Sequence, residues 1–474
     1  MRRLAILLLL AVSSCKVGPN YQPPENAIGD EWQKTEADEP FNSSDPQTTW
    51  WKVFDDPLLD KYIEAAVLSN NELLRAEAAI CEARALRQVA ASKLFPQISA
   101  DLSAFRVDFS KNLFNLFPLP PLFNLFNALF DASWEIDLFG KTRRTIELAD
   151  AHIGSVMEDR NDLLVSTLAE IARNYMELRS FQKRSELTRR NIDLLESSAE
   201  IVRMQFHVGT ANKLDLERIE ASLDSARASL PDTHAQIYRN IYAISILTGE
   251  MPDTLVDELL PTQPLPRPPE EVAIGLRSDL LRRRPDVRRA ERQLAEATAG
   301  VGIAVASFYP SFTLLGAAGV ESTQLKKLFR GSSRTWAYGG NMDLPVFQGG
   351  KLVGTLHIAK AELCMAGYQY QNTILNALQD AEGSLVTYSD DLISAKLMRE
   401  NADRINEVTK LTASRYEAGL VSLLVFLKSE QESVTADLNL LDSDTTALID
   451  LVSLYKALGG GWQSEEECNS VAVP

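Results

Sequence analysis

The sequence predicts an α+β membrane protein, internally duplicated, in which each half supplies two short strands and one very long helix. Three observations carry that reading. Short motifs recur at a constant offset of 210 residues, each half holds a proline-free stretch of 66 residues, and two alternating apolar–polar segments precede each stretch.

The offset holds over much of the chain. Phe206-x-x-Gly209 recurs as Tyr416-x-x-Gly419, Gly140-Lys141 as Gly350-Lys351, and Ala149-x-Ala151 as Ala359-x-Ala361. Leu230-x-Asp232 recurs as Leu440-x-Asp442, and Gly249 as Gly459. Solenoid repeats have periods of about 20–50 residues, so this one is far too long for a solenoid. It indicates two copies of one unit: helix, strand, strand, very long helix, turn, helix.

The chain opens with Arg2 and Arg3, an apolar run from Leu4 to Val12, and small residues before Cys15. This is a secretory leader, and the run is too short to span a bilayer as a helix. Val12-Ser13-Ser14-Cys15 resembles a bacterial lipobox. It implies cleavage before Cys15 and acylation of that residue, with palmitate as an expected modification. The alternative is a secreted protein with a chance cysteine there. Cys81 and Cys364 fall within helical pattern and are expected to be buried thiols, and Cys468 is left over.

In the first strand pair, Ile98, Ala100, Leu102 and Ala104 alternate with Gln97, Ser99, Asp101 and Ser103. The apolar phase then moves to Phe105, Val107 and Phe109, as a bulge would produce. Residues 113–130 are apolar but broken by Pro118, Pro120 and Pro121, and read as a hairpin loop. Phe130, Ala132, Trp134, Ile136 and Leu138 mark the second strand. Its counterparts in the second half are Phe312, Leu314, Ala318 and Val320, then Trp336, Tyr338, Met342 and Leu344. Pattern alone also fits a half-buried soluble sheet. Position favours membrane strands, because the sequence offers no companion core to cover such a sheet.

Each 66-residue stretch, starting at Lys141 and Lys351, would be a helix about 100 Å long. That is about three times the hydrocarbon thickness of a bilayer, and both stretches are studded with charge. They read as coiled-coil-like columns in water. Their turns are 207–212 and 417–422, with Gly209 and Gly419 as the expected left-handed caps.

The formal net charge is −17. So acidic a chain is a poor partner for nucleic acid phosphates, and no nucleic acid is expected. The four histidines show no metal-ligand spacing. Ser180-x-x-Lys183 lacks the companion motifs of a serine acyl-enzyme site. Gly459-Gly460-Gly461 lacks the lysine of a phosphate loop and reads as a helix end. Arg284-Pro285-Asp286 reads as a helix start. No catalytic constellation, cofactor or metal site emerges, and the chain is read as not an enzyme.

Five ordered motifs carry a family resemblance. They are Cys15-x-Val17-Gly18-Pro19-x-Tyr21-x-x-Pro24, Trp50-Trp51 with Phe54-x-Asp56-Pro57-x-Leu59, and Trp134-x-Ile136-Asp137-Leu138-Phe139-Gly140. Arg284-Pro285-Asp286-Val287 and Leu344-Pro345-x-Phe347-x-Gly349-Gly350 complete them. From Cys15 to about Gly460 the chain resembles TolC-like outer-membrane factor lipoproteins, the outer-membrane channels of tripartite efflux systems. The resemblance implies a homotrimer in the bacterial outer membrane, lipid-anchored at Cys15. Four strands from each chain would close a 12-stranded β-barrel, continued by a long periplasmic α-helical barrel. Geometry agrees in part. Four strands cannot close, about eight close around little lumen, and twelve leave a wider one.

The resemblance also implies a periplasmic adaptor, an inner-membrane efflux pump and outer-membrane lipid as partners, and small molecules as cargo. An outer duct for protein secretion and a lipid-anchored periplasmic coiled-coil scaffold are the other readings. The implied organisation is 1–14 leader, 15–57 anchored segment, 58–252 first repeat, 253–285 linker, 286–460 second repeat and 461–474 tail.

The family's functional region is the pair of helical tips, where Gly209, Thr210, Gly419 and Leu420 are expected to meet the adaptor. Aspartates six and nine residues past the second turn glycine commonly ring the constriction in the family; here those positions hold Val425 and Lys428. Their first-half counterparts are Asp215 and Arg218. The expected gate set is therefore Leu424, Val425, Lys428, Asp215 and Arg218, apolar and cationic where the family is acidic. Pro231, inside a helical run, is expected to bend it.

Overall fold

The computed structural model describes residues 16–24, 28–32, 41–42, 44–45, 47–108, 122–269 and 271–462. Cys15, the expected leader, Cys468 and residues 113–121 of the apolar stretch 113–130 lie outside the described residues. Seven long helices organise the described residues: α1 (Pro57–Ser69), α2 (Asn71–Ser92), α3 (Lys141–His207), α4 (Lys213–Leu247), α5 (Pro285–Ala306), α6 (Lys351–Glu417) and α7 (Leu423–Ala457). Four strands form the main sheet: β1 (Gln97–Asp108), β2 (Leu122–Ile136), β3 (Ser311–Ser322) and β4 (Arg334–Asp343). Helices α3 and α6 both have 67 residues, and α4 and α7 both have 35.

The described residues divide into two compact units whose sequences interleave. One is built from residues up to Glu25, Ala78–Met157 and Arg289–Gln371; the other from Asn26–Glu77, Glu158–Arg288 and Asn372 onward.

The first unit holds the antiparallel sheet, in the order β1-β2-β3-β4, so β1 and β4 are open edges. The pairing register assigns the faces. Leu102, Ala128 and Val320 share one row, and Ala100, Phe130, Ala318 and Trp336 the next. Apart from Arg334, which pairs with Val320 at the start of β4, this face is mainly apolar across all four strands. It lies bare in the single chain, with Leu102 79 % and Tyr338 83 % exposed. The opposite face carries Asp101, Asp131, Glu135, Glu321 and Asp343.

Two sequence expectations are corrected here. The β1–β2 register runs unbroken from Gln97↔Ser133 to Asp108↔Leu122, so the phase change at Phe105 is no bulge. It is a true exchange of face polarity. Leu122–Phe130 is also strand rather than loop, because its alternation pairs it in register with β1. At the other ends, Leu138 and Leu344 fall just beyond their strands.

Beside the sheet, the segment after Cys15 is bolted to the first turn of α3. Arg144 is fully buried; it donates to the carbonyls of Val17 (3.0 Å) and Gly18 (3.0 Å) and to Asn20 Oδ1 (2.9 Å). Glu147 pairs with Arg144 and with Lys16. Gly18 is required by close approach, since a Cβ there would sit 2.6 Å from Gly302 Cα. Asp137 caps α3, accepting from the backbone N–H of Thr142 (3.1 Å) and Arg143 (3.0 Å).

The second unit is helical and owns the larger core. Trp50 stacks on Tyr455 with ring centroids 5.2 Å apart, and Phe54, Leu59, Tyr62 and Ile63 pack around them. Asp56 explains the start of α1. Its carboxylate accepts from Leu58 N and Leu59 N, Pro57 occupies the first turn, and Tyr175 donates its hydroxyl to Asp56 at 2.6 Å. Buried Arg179 binds the linker, donating to the carbonyls of Leu259 and Pro261. Helix α5 starts at Pro285, with Arg284 pairing to Asp286 (2.8 Å) and Asp380 (3.1 Å). Ser180 receives the Thr445 hydroxyl, and Lys183 pairs with Glu186. Helix α4 continues unbroken through Pro231.

Cys81 and Cys364 are exposed rather than buried. Both lie on helices whose apolar positions do not form one narrow stripe, so local pattern could not fix their side.

Candidate functional site at the helical turns

Both turns are built by the same backbone device. Gly209 (φ +77°) and Gly419 (φ +72°) take the left-handed conformation, which costs an L side chain about 1–2 kcal/mol. The chain then doubles back: Thr210 N–H donates to Gln205 O and Leu420 N–H to Arg415 O, each at 2.8 Å. The next helix is capped in each case. Asn212 Oδ1 accepts from Asp215 N–H at 2.9 Å, and Ser422 Oγ accepts from Val425 N–H at 3.4 Å.

The three helices α3, α4 and α7 enclose a cleft of about 490 Å³ beside the first turn. Five of the expected functional residues line it: Thr210, Asp215, Arg218, Leu424 and Lys428. Val425 does not; it is 50 % exposed on another face of α7. Gly209, Gly419 and Leu420 occupy the turns outside the cleft, with Leu420 exposed. Gln431, which also lines the cleft, donates to Ser198 Oγ at 3.3 Å and joins α7 to α3. Sequence reasoning missed Gln431, Ser198 and Ser222, since nothing in a single helix's pattern shows which polar residues a second helix will face.

Electrostatically the cleft holds two cations, Arg218 and Lys428, against one anion, Asp215. Neither Asp215 nor Lys428 makes an ion pair among the described residues. Glu430, a natural partner for Lys428, is engaged by Arg190 at 2.7 Å. Among the described residues, no group of histidine, cysteine or carboxylate side chains could hold a metal ion.

A four-stranded antiparallel sheet with one bare apolar face and two open edges, joined in sequence to paired helical columns, defines the class of the fold. The particular family follows from comparison. Residues 62–250 and 276–460 match the family model described as outer membrane efflux protein, and the chain belongs to that family. It is 30 % identical to the probable efflux pump outer membrane protein SepC of Pseudomonas putida, over 97 % of both chains. It is 28 % identical to the outer membrane protein OprJ of Pseudomonas aeruginosa, over 97 % of this chain and 95 % of that one. Among solved structures, the outer-membrane channel OprN superposes with a TM-score of 0.85 at 30 % identity, covering 94 % of this chain and all of that one. The Campylobacter jejuni CmeC outer membrane channel gives 0.86 at 25 % identity, over 96 % of each.

Proposed function

We propose that this protein is the outer-membrane exit duct of a tripartite efflux system, passing small molecules delivered by an inner-membrane pump through a periplasmic adaptor. The observation that carries the reading is the sheet, whose apolar face runs across all four strands and whose edges are both open. No described helix is long and apolar enough to cross a membrane. Open edges are not tolerated in hydrocarbon, so β4 of one copy must pair with β1 of another. Three copies close twelve strands around a lumen, and the five carboxylates of the opposite face make that lumen wet and acidic. Cys15 carries the lipid anchor. Native mass spectrometry of the detergent-extracted protein tests both points. The expected species is a trimer whose mass includes acyl groups on a chain beginning at Cys15; a stable inserted monomer, or an unacylated mature chain, overturns the corresponding part.

The tips are the second part of the proposal. Leu424 and Val425 close the periplasmic end by apolar contact between copies, with Lys428 and Arg218 beside Asp215 setting the charge there. Leu424 and Lys428 share a helix face at i, i+4. The turns at Gly209, Thr210, Gly419 and Leu420 meet the adaptor. Single-channel recording decides this. Leu424→Ala should raise the closed-state conductance, and Lys428→Asp should confer block by divalent cations from the tip side. Unchanged behaviour of both variants places these residues outside the gate.

A further inference from the structure

The β1–β2 pair outlasts its neighbours. The last β3 residue, Ser322, pairs with Phe126, whereas β1 and β2 stay paired four residues further, to Asp108 and Leu122. In this projecting ribbon the two faces exchange polarity. The face that carries Leu102 and Phe130 continues as Arg106 opposite Asn124 and Asp108 opposite Leu122, so three of its four side chains there are polar. The face that carries Asp101, Ser103, Asn127 and Asp131 continues as Phe105 and Val107, opposite Leu125 and Phe123. Side chains change face only if the register slips, and here it does not. The exchange is therefore encoded residue by residue in both strands.

The barrel proposed above gives the exchange a location. Its lipid-facing band is apolar apart from Arg334 at the start of β4, and the pair Arg106 and Asn124, polar in both strands, marks the row at which that face leaves hydrocarbon. The other face lines the lumen, and there the last two rows before the outlet are apolar. Lipid cannot be the reason for apolar side chains on the lumen side. The row immediately beneath is polar, with Ser103, Asn127 and Glu321 side by side. The polarity step thus falls within two residues, about 7 Å along the strand.

On the basis of that barrel, we propose that Phe105, Val107, Phe123 and Leu125 of the three copies form an apolar collar at the outer mouth of the duct. The collar slows hydrated ions and polar solutes and passes apolar molecules. An apolar constriction disfavours a charged solute because it offers nothing to replace the water that must be shed. The effect is independent of the helical tips, which lie in a different unit of the chain.

The test separates the collar from the barrel. In a background with Cys81, Cys364 and Cys468 replaced by serine, Ser99→Cys places a thiol on the lumen face inside the collar. Two methanethiosulfonates of similar size, one neutral and apolar and one bearing a quaternary ammonium, are added outside intact cells. The ratio of neutral to charged labelling rates is compared with and without Phe105→Ser and Leu125→Ser together. The ratio should fall about tenfold, equivalent to about 1.4 kcal/mol. A ratio that stays the same while Ser99→Cys still reacts overturns the collar and leaves the barrel intact. If the charged reagent instead labels Leu102→Cys and spares Ser99→Cys, the faces are reversed and the barrel reading fails. Val107→Ser alone, checked for trimer migration on gels, gives the same direction of change where the double variant does not assemble.

Discussion

The turn at Gly209 and the turn at Gly419 share a backbone and differ in almost everything else. Both have a left-handed glycine and the same 2.8 Å return hydrogen bond. Around that frame, the first half places Asp215 and Arg218 where the second places Val425 and Lys428, and Leu214 where the second places Leu424. Leu424 lines the cleft, whereas Leu214 is 57 % exposed. The second turn is stiffened by Tyr416 stacked on Phe426, ring centroids 5.5 Å apart, while Phe206 meets only the adjacent His207 ring among the described residues. The strand–helix junctions diverge too. Asp137 stands four residues before Lys141 and caps α3, but Asp343 stands eight before Lys351, leaving Val346 and Phe347 bare. The lesson is that backbone geometry persists between the halves wherever only one conformation closes the chain, while side-chain chemistry is free to specialise.

That comparison can be broken most forcibly at the junctions. Asp137→Ala removes two backbone hydrogen bonds and an ion pair from the first turn of α3, and should cost about 1–2 kcal/mol. Asp343→Ala, which removes no cap, should stay within about 0.5 kcal/mol. Hydrogen–deuterium exchange of the first turns of α3 and α6 measures both, and equal effects would erase the asymmetry.

At the tips the expected gap is smaller. Asn212→Ala should loosen the start of α4 by about 1 kcal/mol. Ser422→Ala should do less to α7, because its hydrogen bond is already long at 3.4 Å. Exchange rates of Asp215 and Val425 amides report the two caps separately, and a larger loss at Ser422 would reverse the ranking.

The finest difference is one of protonation. Asp391 of α6 lies against Asp450 of α7, where the equivalent first-half positions hold Phe181 and Asn240. Burial, then hydrogen bonding to Asp450 and its charge, push the Asp391 carboxyl up to about 7. A carboxyl raised in the folded state favours folding when protonated, so this contact weakens as pH climbs from about 4 to about 7. Asp391→Asn should remove that slope and stabilise the protein at pH 8. Thermal unfolding across this range checks it, and an unchanged slope assigns the pH dependence elsewhere.

Much of this was legible beforehand, for identifiable reasons. Columns announce themselves when 66 residues lack proline, and glycine at a turn is dictated by φ. The apolar face of the sheet was legible because alternation has a period of two. Three things were not. Leu122–Phe130 looked like loop because its asparagines and neighbouring prolines mask the alternation. The change at Phe105 looked like a bulge because a sequence shows a phase shift, but not whether the partner strand shifts with it. The cleft's third wall depends on α7 reaching the first hairpin, a pairing between residues more than 200 positions apart that no local pattern encodes.

Arg144 has a consequence for anyone who would re-engineer the chain's beginning. Its guanidinium reads the main-chain oxygens of Val17 and Gly18 and the side chain of Asn20, while Lys16 pairs with Glu147 and Gly18 has no room for a Cβ, so both the path of the chain and three of its five side chains are specified. Clipping those residues away would leave buried Arg144 paired with Glu147 but with its hydrogen bonds to Val17, Gly18 and Asn20 unmade, at a cost of about 1–3 kcal/mol. A version beginning after Asn20 is therefore a weaker molecule. Lys16, the first described residue, already lies against Gly140, four residues past the end of a strand.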